Sequence, residues 1–160
     1  FKIISPIDEY NKDLAQQISK NNSVAIHVRW FDVPGSSEDN NISIQYYKNA
    51  IALIEKKINS PLYFLFSDKP KDAKSKTNIP DEKTITISHN QGDENSYADL
   101  WLMSHCKHFI TANSTFSWWG AWLGEKEESI IITPNIKLSG DNNITSWNLY
   151  NQIPERWIKL

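Results

Sequence analysis

Three groups of polar residues in this 160-residue chain have the types and spacing to do chemistry on an anion. The first is His27-x-Arg29-x-x-Asp32, within "IHVRWFD". The second is Ser67-Asp68, closing "PLYFLFSD", and the third is Asn113-Ser114-Thr115-Phe116, which leads into "SWWGAWLG". An arginine is a permanently charged planar fork that suits a diphosphate. Small polar residues opening a helix leave its first amides unpaired beside room for an anion. Together these groups describe a seat for a nucleoside diphosphate, with Arg29 and backbone amides stabilising it as a leaving group. Asp99 is a further candidate, because a carboxylate in the first half of the apolar helix "DENSYADLWLMSHC" is costly unless paired or bound. Neither GxxxxGK[ST] nor GxGxxG occurs, which argues against a P-loop and a dinucleotide fingerprint.

Each group also has an ordinary structural reading. Asn-Ser-Thr caps helices in many proteins. It also spells an N-glycosylation acceptor, which a turn facing a crevice argues against. Trp118, Trp119 and Trp122 fit a core better than a ligand-stacking surface. His27 fits a satisfied core histidine about as well as a ligand, and Asp32 fits a turn ahead of Pro34 and Gly35. His89, His105 and His108 lack metal-ligand spacing and read as surface or structural. "EKEE" at 125–128 reads as a solvated turn.

The elements that must position these residues alternate along the chain. "DEYNKDLAQQISKNN" reads as a helix with Tyr10, Leu14 and Ile18 on one face. "SVAIHVRW" reads as a buried strand whose tip carries His27 and Arg29. "SIQYYKNAIALIEKKIN" shows a helical stripe of Tyr47, Ala50, Ile51, Ile54 and Ile58. "PLYFLFSD", "KTITIS", "KHFITA" and "SIIITP" read as further strands. The segment 115–123 reads as a helix capped by Asn113 or Ser114 and stopped at Gly124. Its Phe116, Trp119 and Leu123 form one face and Trp118 and Trp122 another, anchoring it, and Gly120 permits close packing. The tail "NITSWNLYNQIPERWIKL" carries enough apolar residues to pack back on the domain.

Strands alternating with helices predict an α/β fold, a Rossmann-like, mostly parallel sheet flanked by helices, formed by residues 1–160 as one domain. Ligands of such sheets bind beyond the carboxyl ends of the strands, where the three polar groups fall. The net charge of −2, from 17 basic and 19 acidic residues, argues against nucleic acid as a partner. Cys106 is the sole cysteine, so there is no disulfide framework and no CxxC zinc pattern. No apolar run approaches the ~20 residues of a membrane span.

"IHVRWFD" resembles the His-x-Arg-x-x-Asp signature of fucosyltransferases that use GDP-fucose. "DENSYADLWLMSHCKHFITANSTFSWWGAWLG" resembles the second block of the α-1,2-fucosyltransferase family, a family 11-like group, and the likeness runs from about residue 22 to the end. The resemblance implies the C-terminal, donor-binding half of a GT-B enzyme, with the acceptor half outside this chain. It implies metal-independent, inverting transfer of L-fucose from GDP-fucose to the 2-hydroxyl of a galactose-containing glycan. It further implies that Arg29 binds the β-phosphate and that His27 and Asp99 hold the guanosine end. Ser67 and Asp68 would line the nucleoside side, and Asn113, Ser114, Thr115 and Phe116 would seat the pyrophosphate.

Arg29 and Asp32 are the candidate catalytic residues, although the acceptor's base is better sought in the other half. The family's usual second arginine and small residue are replaced by Trp30 and Phe31. Either Trp30 packs in the core, or the sugar or acceptor differs. A same-fold transferase with another nucleotide-sugar donor, and a non-catalytic carbohydrate-binding module, are the alternative readings. Expected partners are the donor and the glycan, with self-association through an exposed interdomain face and any membrane attachment through regions outside the chain. A bacterial source would place the protein in the cytoplasm or at the membrane periphery, and a eukaryotic one in the Golgi lumen.

Overall fold

The computed structural model describes residues 3–6, 8–30, 41–90, 92–135 and 152–160. The chain opens with helix α1 (Glu9–Lys20), whose first turn is capped by Asp8, accepting from the Asn11 amide at 2.8 Å. Strand β1 (Asn22–Val28) follows, then α2 (Ile44–Lys57), capped by Ser43. Next come β2 (Pro61–Ser67), α3 (Pro70–Thr77) and β3 (Thr84–Thr86). A 3-10 turn at Asp93–Asn95 leads into α4 (Ser96–Ser104), β4 (His108–Ile110), α5 (Thr115–Gly124) and β5 (Ile131–Thr133). The tail closes as β6 (Ile158–Lys159).

Among the described residues all six strands are parallel, in the order β3-β2-β1-β4-β5-β6. The chain builds outwards from β1 to β3, returns through α4, and builds the other way from β4. The order reverses between β1 and β4, so a crevice opens at their carboxyl ends. The predicted α/β, Rossmann-like, mostly parallel sheet is the fold observed.

Two cores cover the two faces of the sheet, and the period of two along each strand sorts residues between them. Val24, Ile26 and Val28 of β1 pack with Tyr63 and Leu65 of β2 against Tyr46, Tyr47, Ala50 and Ile54 of α2. Ala25, Phe64 and Phe66 face the other way, against Leu14 and Ile18 of α1, Leu102 and Met103 of α4, and Ala121 of α5. His27 has the parity of Ala25, so it faces the α5 side. Trp30 has the parity of Val28 and packs on the α2 core.

Several local expectations change. Tyr10 does not join Leu14 and Ile18 inside; it is 59% exposed, and the polar Asn11 is buried instead, at 1%. Asn11 can go in because its amide group is fully hydrogen-bonded. Helix α3 was not foreseen, since "PKDAKSKT" has no apolar stripe. It is started by a proline at its first turn and ended by Asn78 in the left-handed region, φ 51°. Glu125 is not solvated: its carboxylate holds Arg156 (Nε–Oε1 2.7 Å) and accepts from the Trp157 indole, pinning the tail before β6.

Candidate functional site

The register of the sheet brings the predicted polar groups together at its carboxyl edge. Val28 lies beside Ser67, so the residues that follow, Arg29 and Asp68, leave the sheet side by side. The Arg29 Nη1 donates to Asp68 Oδ2 at 2.8 Å, and Asp68 Oδ1 accepts from the Trp30 amide at 3.2 Å. Ser67 accepts from the Lys69 amide, which turns the chain into α3. The arginine side chain is 43% exposed and the aspartate's 28%, so this wet ion pair adds little to stability. Its consequence is orientation. One corner of the planar guanidinium is fixed while the group stays in contact with solvent at the mouth of the crevice.

Across the switch point, Ile26 pairs with Ile110 and thereby sets the turn after β4 beside the tip of β1. The His27 and Phe116 ring centroids are 5.5 Å apart, so strand β1 and the first turn of α5 meet side chain to side chain. The Tyr47 hydroxyl donates to the His27 carbonyl at 3.0 Å and locks the strand behind it. Burial, assisted by the nearby Arg29 charge, pushes the His27 pKa down to about 3. His27 is therefore a neutral imidazole near pH 7. Its Nδ1 is buried with no hydrogen-bond partner among the described residues, which is a cost the fold carries at this spot.

The turn into α5 is tied from inside by Ser117. Its hydroxyl accepts from the Ala112 amide at 3.2 Å and donates within reach of the Ser114 carbonyl at 3.2 Å. The N-cap Ser114 makes no side-chain bond to the helix, so the first amides of α5 are left for something other than a cap. The buried face of this helix is small: Ser117, Gly120, Ala121 and Gly124. A Cβ on Gly120 would run into Met103, and one on Gly124 would lie 2.6 Å from the Ser104 carbonyl oxygen and 2.7 Å from the Phe109 ring. Gly124 is the last helical residue and not a left-handed stop, so it is a glycine for closeness.

The tryptophans lie on the other side of α5. Trp118 stacks on Trp122 with centroids 5.2 Å apart, and its indole donates to the Gln152 carbonyl. Trp157 packs against Trp118, and Trp122 stays 42% exposed beneath the Arg156 guanidinium. The aromatic block thus clamps the tail onto the helix, while Phe116, Trp118 and Ala121 pack on the core and the two glycines allow the close approach.

Asp99 belongs to a separate group of side chains, between α1, α4 and the segment after β3. Asn90 Nδ2 donates to Asp99 Oδ1 at 2.8 Å. Burial raises the carboxyl to about 6, and the Asn90 bond holds it from going higher. Trp30 takes the core-packing alternative, with the Lys76 ammonium 4.2 Å above its ring. Asp32 and Phe31 lie outside the described residues. Among the described residues, no three His, Cys, Asp or Glu side chains stand close enough to hold one metal ion.

The sequence model of the family described as Glycosyl transferase family 11 matches residues 2–152. The chain belongs to glycosyl transferase family 11. It is 31% identical over 159 residues to an alpha-1,2-colitosyltransferase of Escherichia coli, covering 93% of this chain and 51% of that protein. It is 32% identical over 155 residues to the O-antigen biosynthesis glycosyltransferase WbnK of Escherichia coli, covering 88% of this chain and 51% of that protein. The chain spans about half the length of the curated relatives it matches. In this family 11 chain the residues that sequence reasoning missed are Tyr47, Asn11, Asn90 and Ser117. They act by holding others, and none carries a charge or a motif that would single it out.

Proposed function

We propose that this chain is the donor-binding part of an inverting glycosyltransferase that moves L-fucose from GDP-fucose to the 2-hydroxyl of a galactoside. The observation that carries this reading is the uncapped first turn of α5, brought against the tip of β1 through His27 and Phe116 at the switch point. Arg29, Asn113, Ser114, Thr115 and Phe116 then serve the diphosphate. Ser67 and Asp68 orient Arg29. His27 and Asp99 serve the nucleoside, which places the leaving group's negative charge against a fixed cation and amides as the glycosidic bond breaks. Asp32 sits three residues after Arg29 and is reserved for a supporting role, with the base for the acceptor supplied by the other half of the enzyme. No metal enters this scheme.

A second reading, the same fold with a different donor sugar, is favoured by Trp30 in place of a cation and by a relative named for colitosyl transfer. Radiolabel transfer from GDP-fucose by the whole encoded protein, in competition with unlabelled GDP-mannose, other GDP-sugars and UDP-sugars, separates the two. GDP-fucose as preferred donor is the expected result. Preference for another GDP-sugar replaces the fucosyl reading with the second one. Preference for a UDP-sugar contradicts the guanosine assignment altogether.

A further inference from the structure

The side chains around Asp99 form a closed relay. Asn11, 1% exposed on α1, donates from Nδ2 to Asp8 Oδ2 and to Asn90 Oδ1, both at 2.9 Å. Its Oδ1 accepts from Asn90 Nδ2 at 3.1 Å and from His89 Nε2 at 3.0 Å. The two donors and two lone pairs of the Asn11 amide are thereby all engaged. Asn90 returns both bonds to Asn11 and spends its second N–H on Asp99 Oδ1. The Asp99 carboxylate is thereby held through its Oδ1 by an amide that Asn11 itself fixes in rotation. Tyr10 packs edge-on against the His89 ring, centroids 4.5 Å apart, and closes the relay on its outer side.

A fully satisfied side-chain network of this kind rigidifies the groups in it, and here it ends on the Asp99 carboxylate. Asp99 is one turn into α4, and nothing else among the described hydrogen bonds holds its carboxylate. We propose that Asn90, backed by the buried Asn11, is a positioning residue that fixes the Asp99 carboxylate for recognition of the donor's nucleobase. The ligand edge it suits is a pair of adjacent N–H donors, such as the ring N–H and exocyclic amine of a guanine. The proposal rests on the reading that Asp99 serves the donor nucleoside.

The test compares GDP with IDP, which lacks the exocyclic amine, by calorimetric titration of the whole encoded protein. Wild type, Asp99→Asn, Asn90→Ala and Asn90→Asp are titrated, and melting temperatures are recorded alongside. One charged hydrogen bond more should favour GDP over IDP by about tenfold in wild type. Asp99→Asn, Asn90→Ala and Asn90→Asp should each bring that ratio towards one. A loss of folded protein weakens both nucleotides alike and leaves the ratio in place, so the ratio reports positioning alone. If Asp99→Asn erases the preference while both Asn90 variants keep it, the nucleoside reading of Asp99 stands and the positioning proposal is overturned. If Asp99→Asn also keeps it, both fall.

Discussion

Two polar clusters sit at the carboxyl edge of the sheet, and they are built in opposite ways. The Arg29–Asp68 pair is charged, wet and made of two side chains at neighbouring strand tips. The Asn11–Asn90–Asp99 relay is mostly neutral, is anchored on the buried Asn11 and spans three separate segments. A permanent cation needs little support to attract a phosphate, because its charge acts over several ångströms. A carboxylate that must accept two hydrogen bonds from a flat base needs direction more than charge. Under the proposed function the difference fits a division of labour, with Arg29 serving the diphosphate and Asp99 the nucleobase. His27, at the tip of β1, is buried and neutral.

The largest expected effect comes from breaking that neutrality. His27 in the folded chain has a pKa near 3 against 6.5 in the unfolded chain. Between those values the unfolded chain binds the proton, so stability is complete above pH 6.5 and is lost as pH falls towards 3. Such a shift corresponds to at most about 5 kcal/mol. Asp99 works in the other direction: its pKa of about 6 makes the folded state take up a proton first, adding stability as pH falls from 6 towards 3.8. His27→Gln should therefore remove most of the acid loss and leave a chain that is more stable at pH 4 than at pH 7 relative to wild type. Denaturant melts across that range check it, and an unchanged pH profile would contradict the buried neutral imidazole.

A change in the scaffold should lower the stability of the whole domain. Gly124→Ala drives a methyl into the Ser104 backbone and the Phe109 ring, neither of which can turn aside. The overpacking should cost about 2 kcal/mol, against a gain of up to 1 from helix propensity. Gly120→Ala meets the flexible Met103 and should cost less. Thermal melts of the two variants give the order, and equal melting points would mean that α5 is not held by close approach at Gly124.

A smaller effect separates the clusters. Asp68→Ala removes the carboxylate that holds Arg29 Nη1 and leaves the charge of Arg29 in place. GDP affinity should fall by about tenfold or less, and the fall should shrink at high salt, because the pair is exposed. The Asn90 contribution, being a short-range bond from a neutral amide, should respond less to salt. Titrations at low and high ionic strength compare the two, and equal salt sensitivity would erase the distinction.

Much of this was legible in the chain, for physical reasons that differ by element. Strands β1 and β2 announce themselves as apolar runs because both faces of a central parallel strand are buried. The positions of Arg29 and Ser114 followed from strand ends alone. Helix α3 was hidden, since only Ala73, Lys76 and Thr77 of it are buried and one of those is a lysine whose ammonium lies over Trp30. The tail strand was hidden because β6 is two residues long and depends on Glu125 and Trp118, far away in sequence. The tryptophans were legible in part: Trp118 packs against the core as expected, while Trp122 stays exposed and the close approach depends on Gly120 and Gly124. Asn90 and Asn11 left no signal, because hydrogen bonds between amides 79 residues apart have no periodicity to read.

In the proposed function Arg29 and the first turn of α5 together seat a nucleoside diphosphate. Calorimetric titration of the protein with GDP, beside UDP and ADP and repeated on Arg29→Ala, tests it most directly. Binding selective for GDP is expected, with a loss of about 100-fold in the variant, the scale set by removing a charged partner of a phosphate. GDP affinity that survives Arg29→Ala unchanged, or equal affinity for all three nucleotides, would contradict it.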